Sequence, residues 1–139
     1  MPVSQENKSD IELFLHWKGL GKWSHKPESQ FTISVHNPLC GDELHLDFSQ
    51  VEGGFLIESM SGESCSVCQA SSGLLFHKKL VWSKEEAERQ KSVYSEYLEG
   101  LLNDIPLDEK PFWDILKTKP GRHRCALLPY QALIKFFSG

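Results

Sequence analysis

The chain has 139 residues, 40% of them hydrophobic, and a net charge of -4 from 15 Lys/Arg against 19 Asp/Glu. That is one domain's length, enough to bury a core, and the acidic balance, with basic residues interleaved among acids, excludes a nucleic-acid partner. No apolar run reaches the roughly 18 residues of a membrane span, and "MPVSQENKSD" lacks the features of a signal peptide, so no membrane is expected and a cytoplasmic location is. Four cysteines kept reduced there are read as ligands, nucleophiles or core residues, not disulfides.

In chain order, "SDIELFLHWKGLG" opens with a Ser/Asp cap and stops at glycines, which predicts a short N-terminal helix. "FTISVH" and "ELHLDF" alternate apolar and polar, and "GFLIESM" follows Gly53-Gly54, so three strands joined by short turns form an antiparallel meander. From Ser64 the period changes: Val67, Ala70, Leu74, Leu75 and Leu80 predict a helix covering the sheet. "SKEEAERQKSVYSEYLEGLLND" starts with a capping box at Ser83 and Glu86 and reads as a largely exposed helix. "LDEKPFWDILKT" predicts a short helix begun by Asp108, and "RHRCALLPYQALIKFF" a final packed helix with Pro129 in its first turns.

On that map Cys40 lies in the turn between the first two strands, Cys65 at the start of the first helix after the sheet, and Cys125 at the start of the last helix. A thiol at a helix N-terminus ionises more easily, and thiolate is the form that binds metal and attacks sulfur; position alone leaves these thiols reactive or inert. "CSVC", Cys65 to Cys68, has the spacing of a redox pair. A thioredoxin-like fold puts that pair in a β-α-β unit, however, and here a meander precedes and helices follow. A zinc ribbon would need a second close pair. Cys68, one turn into the helix, reads as a partly buried helix residue.

Together, "NPLCGDELHLDF", "GESCSVCQASSGLL" and "RHRCALLPYQAL" resemble the three cysteine motifs of the IscU/SufU/NifU N-terminal family of iron-sulfur assembly proteins, over about Phe31 to Ile134. Sixty positions separate Cys65 from Cys125, Arg124 stands where the IscU branch has a histidine ligand, and the Leu-Pro-Pro-Val-Lys motif of that branch is absent; these details resemble the SufU branch. The resemblance implies an α+β fold, a small three-stranded antiparallel sheet packed against a layer of helices (SufE/NifU-like). It implies a single NifU-N/SufU-like domain over 1-139 with a helical insertion at about 81-120. It further implies a zinc site of Cys40, Asp42, Cys65 and Cys125, with iron or an iron-sulfur cluster as the alternative on the same ligands. Three thiolates and a carboxylate suit a tetrahedral zinc ion, and the carboxylate is the most exchangeable of them.

By the same resemblance Cys40 accepts persulfide sulfur from a pyridoxal-phosphate cysteine desulfurase (SufS-like), Arg122 contacts that partner, and downstream iron-sulfur assembly proteins receive the product. Three functions stay open: a sulfurtransferase-like acceptor, a non-enzymatic scaffold on which a cluster is assembled, and a redox or structural zinc protein using "CSVC". The sequence departs from the family at its N-terminus, where "IELFLHWKGLGKWSHKP" keeps little of the signature, and at "SGLL", where Gly73 is expected to loosen the helix. His36 and His123, nearest the motifs, match no family ligand and read as surface or outer residues.

Overall fold

Apolar residues on every second position are realised as an antiparallel sheet of order β1-β2-β3: β1 Phe31–Asn37, β2 Asp42–Val51 and β3 Gly54–Ser61. The computed structural model describes residues 8–24, 31–38 and 41–138. Val35, Leu44, Leu46, Phe48 and Met60 are buried, while Ser34, His36 and Glu43 on alternate positions are exposed, the pattern of a sheet with one face on the core. The first hairpin closes on the pair Asn37↔Asp42, so β2 begins at Asp42 itself. The register slips between Asp47 and Phe48, and buried Asp47 accepts hydrogen bonds there from Thr32 Oγ1 (2.7 Å) and Ser59 Oγ (2.8 Å).

Among the described residues five helices follow the same logic: α1 Lys8–Gly19, α2 Ser66–His77, α3 Lys84–Leu98, α4 Lys110–Lys117 and α5 His123–Ser138. Of the residues that predicted α2, Val67, Ala70, Leu74 and Leu75 are buried within it, and Leu80 lies beyond its end. At the far end of the sheet α5 delivers Phe136, which stacks on Phe48 (4.1 Å between ring centroids) and meets Phe55 edge-on (5.0 Å). Pro129 is the seventh residue of α5 and buried; it has no N–H to give the Cys125 carbonyl four residues back. Among the described residues no helix is long and apolar enough to cross a membrane.

Three details differ from expectation. Ser83 does cap α3, accepting the Glu86 N–H at 3.2 Å, but the helix is not largely exposed: Ala87, Gln90, Tyr94, Tyr97 and Leu98 are buried along one face. Tyrosine supplies that face, presenting an apolar ring with a polar tip, so Tyr94 stacks on Trp113 (4.5 Å) and its hydroxyl donates to Glu109 (2.6 Å). The cap of α4 is Glu109 and not Asp108. The Glu109 carboxylate is buried because it also takes Lys78 Nζ (2.6 Å) and Trp113 Nε1 (3.3 Å), which tie α2, α3 and α4 together.

The third is Gly73, which does not loosen α2. A Cβ built there would sit 1.9 Å from the Trp17 carbonyl oxygen and 3.0 Å from Lys18 Cα, so glycine is what lets the backbones of α1 and α2 touch. Gly73→Ala is therefore expected to destabilise the chain by roughly 1–3 kcal/mol, the cost of overpacking, although alanine is the better helix former. Urea unfolding midpoints check this; an unchanged or raised midpoint would contradict the close crossing.

Candidate metal centre

Three chain segments converge where the sheet meets α2 and α5. Asp42 is the first residue of β2, Cys65 is the N-cap of α2 in extended conformation (φ -71, ψ 167), and Cys125 is in the first turn of α5. Their ligand atoms all lie within 4.8 Å of one another. Asp42 is 1% and Cys125 2% exposed, and Cys65 is partly open to solvent. The Glu43 N–H donates to the Glu63 carbonyl (2.8 Å), holding the start of β2 against the segment that leads into α2. One turn further in, Ser71 Oγ donates to the Ala126 carbonyl (2.5 Å) and fixes α2 against α5.

Within the group the carboxylate is already engaged. The Cys65 N–H donates to Asp42 Oδ1 at 2.7 Å and the Cys65 thiol to Oδ2 at 3.5 Å. One oxygen thus orients the side chain while the other faces the thiols, so Asp42 is a buried ligand candidate held in place by the start of α2. Cys40 lies outside the described residues. Its neighbour Gly41 has φ +72, which favours glycine, and donates to the Asn37 carbonyl (2.8 Å) to close the turn.

The electrostatics separate the two members of "CSVC". Cys65 is pulled down to about 6, chiefly because Cys125 donates to its sulfur; a backbone bond from Cys68 and the Arg122 side chain add to this, against burial and the nearby Asp42 carboxylate. Cys68 is fully buried, and desolvation pushes it up to about 12. Arg122, in the 3₁₀ turn Pro120–Arg122, is half-buried and reaches the Cys65 sulfur; that contact was not read from the sequence, where the residue carries only a partner role. Of the histidines, His36 is exposed, and a His123 ring nitrogen lies 2.7 Å from the Leu116 carbonyl. Two thiols and a carboxylate, desolvated and convergent, are a donor set that fits zinc or iron.

No protein-family model matches the chain. The iron-sulfur cluster assembly scaffold protein IscU of Streptococcus pyogenes serotype M1 is 28% identical over 103 residues, 73% of this chain and 65% of that protein, slightly under two thirds of its length. The zinc-dependent sulfurtransferase SufU of Bacillus subtilis is 26% identical over 106 residues, 74% of this chain and 71% of that protein. In sequence the chain is similar to proteins of the IscU/SufU/NifU N-terminal family. Solved structures of this family share the fold. A chain from Fervidobacterium islandicum AW-1, described as a candidate scaffold for the SUF system, superposes with a TM-score of 0.75 at 21% identity, covering 94% of this chain and 99% of its own. A NifU-like N-terminal domain from Brucella abortus does so at 0.77 and 18%, with 94% of each chain covered.

In the metal-free chain, iodoacetamide is expected to alkylate Cys65 at neutral pH, and the rate to fall as pH drops through about 6, where its thiolate is protonated. Cys68 is expected to stay unmodified until the chain unfolds. Peptide mapping across pH distinguishes them; equal modification of both in the native chain would contradict their different burial.

Proposed function

We propose that this chain is an iron-sulfur assembly protein of the SufU type, in which Cys40 accepts persulfide sulfur from a pyridoxal-phosphate cysteine desulfurase beside a zinc ion held by Cys40, Asp42, Cys65 and Cys125. The observation that carries this is the convergence of Asp42, Cys65 and Cys125 within 4.8 Å, one residue from each of the three cysteine motifs. The zinc-dependent sulfurtransferase among its relatives supports the choice of ion and reaction. So does Arg124, exposed at the position of the histidine ligand in the IscU branch. Bound zinc would keep its thiols deprotonated and damp their reactivity until a partner docks.

The chain's own residues account for the rest. Four anionic ligands leave two negative charges around a divalent ion, and Arg122, at the Cys65 sulfur, offsets part of that excess. In the transfer step the Cys40 thiolate attacks the terminal sulfur of the donor's Cys-S-SH. A new S–S bond forms to Cys40, the donor's S–S bond breaks, its thiolate leaves, and the proton stays on the transferred sulfur. Downstream assembly proteins then receive that sulfur. A second reading, a scaffold that assembles the cluster on the same ligands, is favoured by the relatives described as scaffolds.

As purified without added iron, the protein is expected to hold about one zinc per chain, and Cys65→Ala or Cys125→Ala to remove it and lower stability, because binding free energy is part of folding free energy. Cys40→Ala is expected to abolish stimulation of a desulfurase, while Cys68→Ser leaves zinc and stimulation nearly intact. Persulfide mapping after incubation with desulfurase and cysteine decides: label at Cys40 supports transfer, whereas label on Cys68 alone, or an iron-sulfur spectrum with no stimulation, puts the other readings ahead.

A further inference from the structure

A disulfide needs two sulfurs that can close to about 2 Å and an oxidant that can reach one of them. The spacing of "CSVC" nominates Cys65 and Cys68; the fold does not. Cys68 is fully buried among core residues, the Ser64 and Ser72 side chains supply its hydrogen bonds, and its sulfur is not one of the atoms that converge with Cys65. No oxidant reaches it in the native chain.

Cys125 meets the conditions that Cys68 fails. It lies sixty positions along the chain, yet its thiol donates to the Cys65 sulfur and the two are within 4.8 Å. The approach is held from both sides: the Cys65 N–H donates to Asp42 Oδ1 at 2.7 Å, and Ser71 Oγ, in α2, donates to the carbonyl of Ala126, next to Cys125, at 2.5 Å. Access is unequal. Cys65 is partly open to solvent and Cys125 is 2% exposed, so an oxidant meets Cys65 first and the covered thiol is placed to resolve the product. In the first step the Cys65 sulfur attacks hydrogen peroxide, the O–O bond breaks, and the thiol proton leaves with the departing hydroxide as water. Cys125 then attacks the Cys65 sulfenic acid; its S–O bond breaks, the S–S bond forms, and the Cys125 proton completes a second water. Each sulfur loses one electron and the peroxide gains two.

We propose that Cys65 and Cys125 are an oxidation site of this chain, converted by peroxide to a disulfide that links α2 to α5 and withdraws two thiolates from the candidate metal centre. The competition with metal rests on the function proposed above; the pairing of the thiols does not. In the test, the full chain is reduced, stripped of metal with a chelator, treated with equimolar hydrogen peroxide and mapped by peptide mass without reduction, with the same treatment in concentrated urea as control. A single link between Cys65 and Cys125 is expected in the native chain and a mixture of pairings in urea. Because Cys65 and Cys68 share a tryptic peptide, two variants assign the link: it persists in Cys68→Ser and is lost in Cys65→Ser. The oxidised chain is expected to take up no zinc until dithiothreitol is added, since thiolate is the ligand, and zinc bound beforehand to slow formation of the link by roughly tenfold. A native link between Cys65 and Cys68, a link of either Cys65 or Cys125 to Cys40, the same mixture as in urea, or undiminished zinc uptake by the oxidised chain would overturn the inference. The Cys65–Cys125 link formed equally fast with zinc present would instead sink the zinc reading and leave the redox pair.

Discussion

The bond between the Cys65 amide and the Asp42 carboxylate is the constraint on which the site depends. A carboxylate 1% exposed is costly to bury unless its oxygens are satisfied, and here the Cys65 backbone N–H at 2.7 Å takes that role for one of them. Because the donor is the N-cap residue of α2 and the acceptor is the first residue of β2, one interaction sets both the helix start against the sheet and the spacing of two ligand atoms. One backbone hydrogen bond thus links the start of α2, the start of β2 and two of the candidate ligands.

The opposite end of α2 is held in a similar way. Lys78, the C-cap residue, is paired with Glu109 at 2.6 Å, and Glu109 is in turn bonded by Tyr94 and Trp113. Breaking such a buried pair by removing one partner leaves an uncompensated charge, at about 3–5 kcal/mol. Between its two anchors α2 is buried on nearly every side, including the close approach of α1 at Gly73. A helix fixed at both ends and packed along its length is a poor moving part. α5 is less completely tied, since Pro129 gives no helical hydrogen bond to the Cys125 carbonyl.

Much of this was legible in the sequence. Period-two alternation at Ile33, Val35, Leu44 and Leu46 places the strands and their buried face, and the spacing of Val67, Ala70 and Leu74 places α2, because burial on one side of a regular element leaves that periodic mark. What was not legible depends on partners distant in sequence. Glu109 stands before α4 in place of Asp108, and its carboxylate is taken up by Lys78, Tyr94 and Trp113, not by the helix start. Gly73 is read locally as weak and is required spatially, since only the position of the Trp17 carbonyl shows why a Cβ is excluded. The tyrosines of α3 hide a buried face inside a charged sequence. At the site, three motifs announce which residues converge, but neither the pinning of Asp42 nor the reach of Arg122 to Cys65 has a local signature.

The pair Cys65 and Cys68 shows why spacing alone does not assign chemistry. The two thiols are three residues apart at one helix start, so the dipole and the motif treat them almost alike. Their surroundings do not. Cys65 has a neighbouring thiol and a guanidinium that stabilise its anion, whereas Cys68 points into the hydrophobic core, where an anion has little to replace water. The same Asp42 carboxylate disfavours charge on both, so the opposite shifts arise from donors and burial and not from the nearest acid. A pair that acts as nucleophile and resolver needs two thiols that can each ionise or be reached. Here one can, and the other serves as a small apolar side chain in the hydrophobic core.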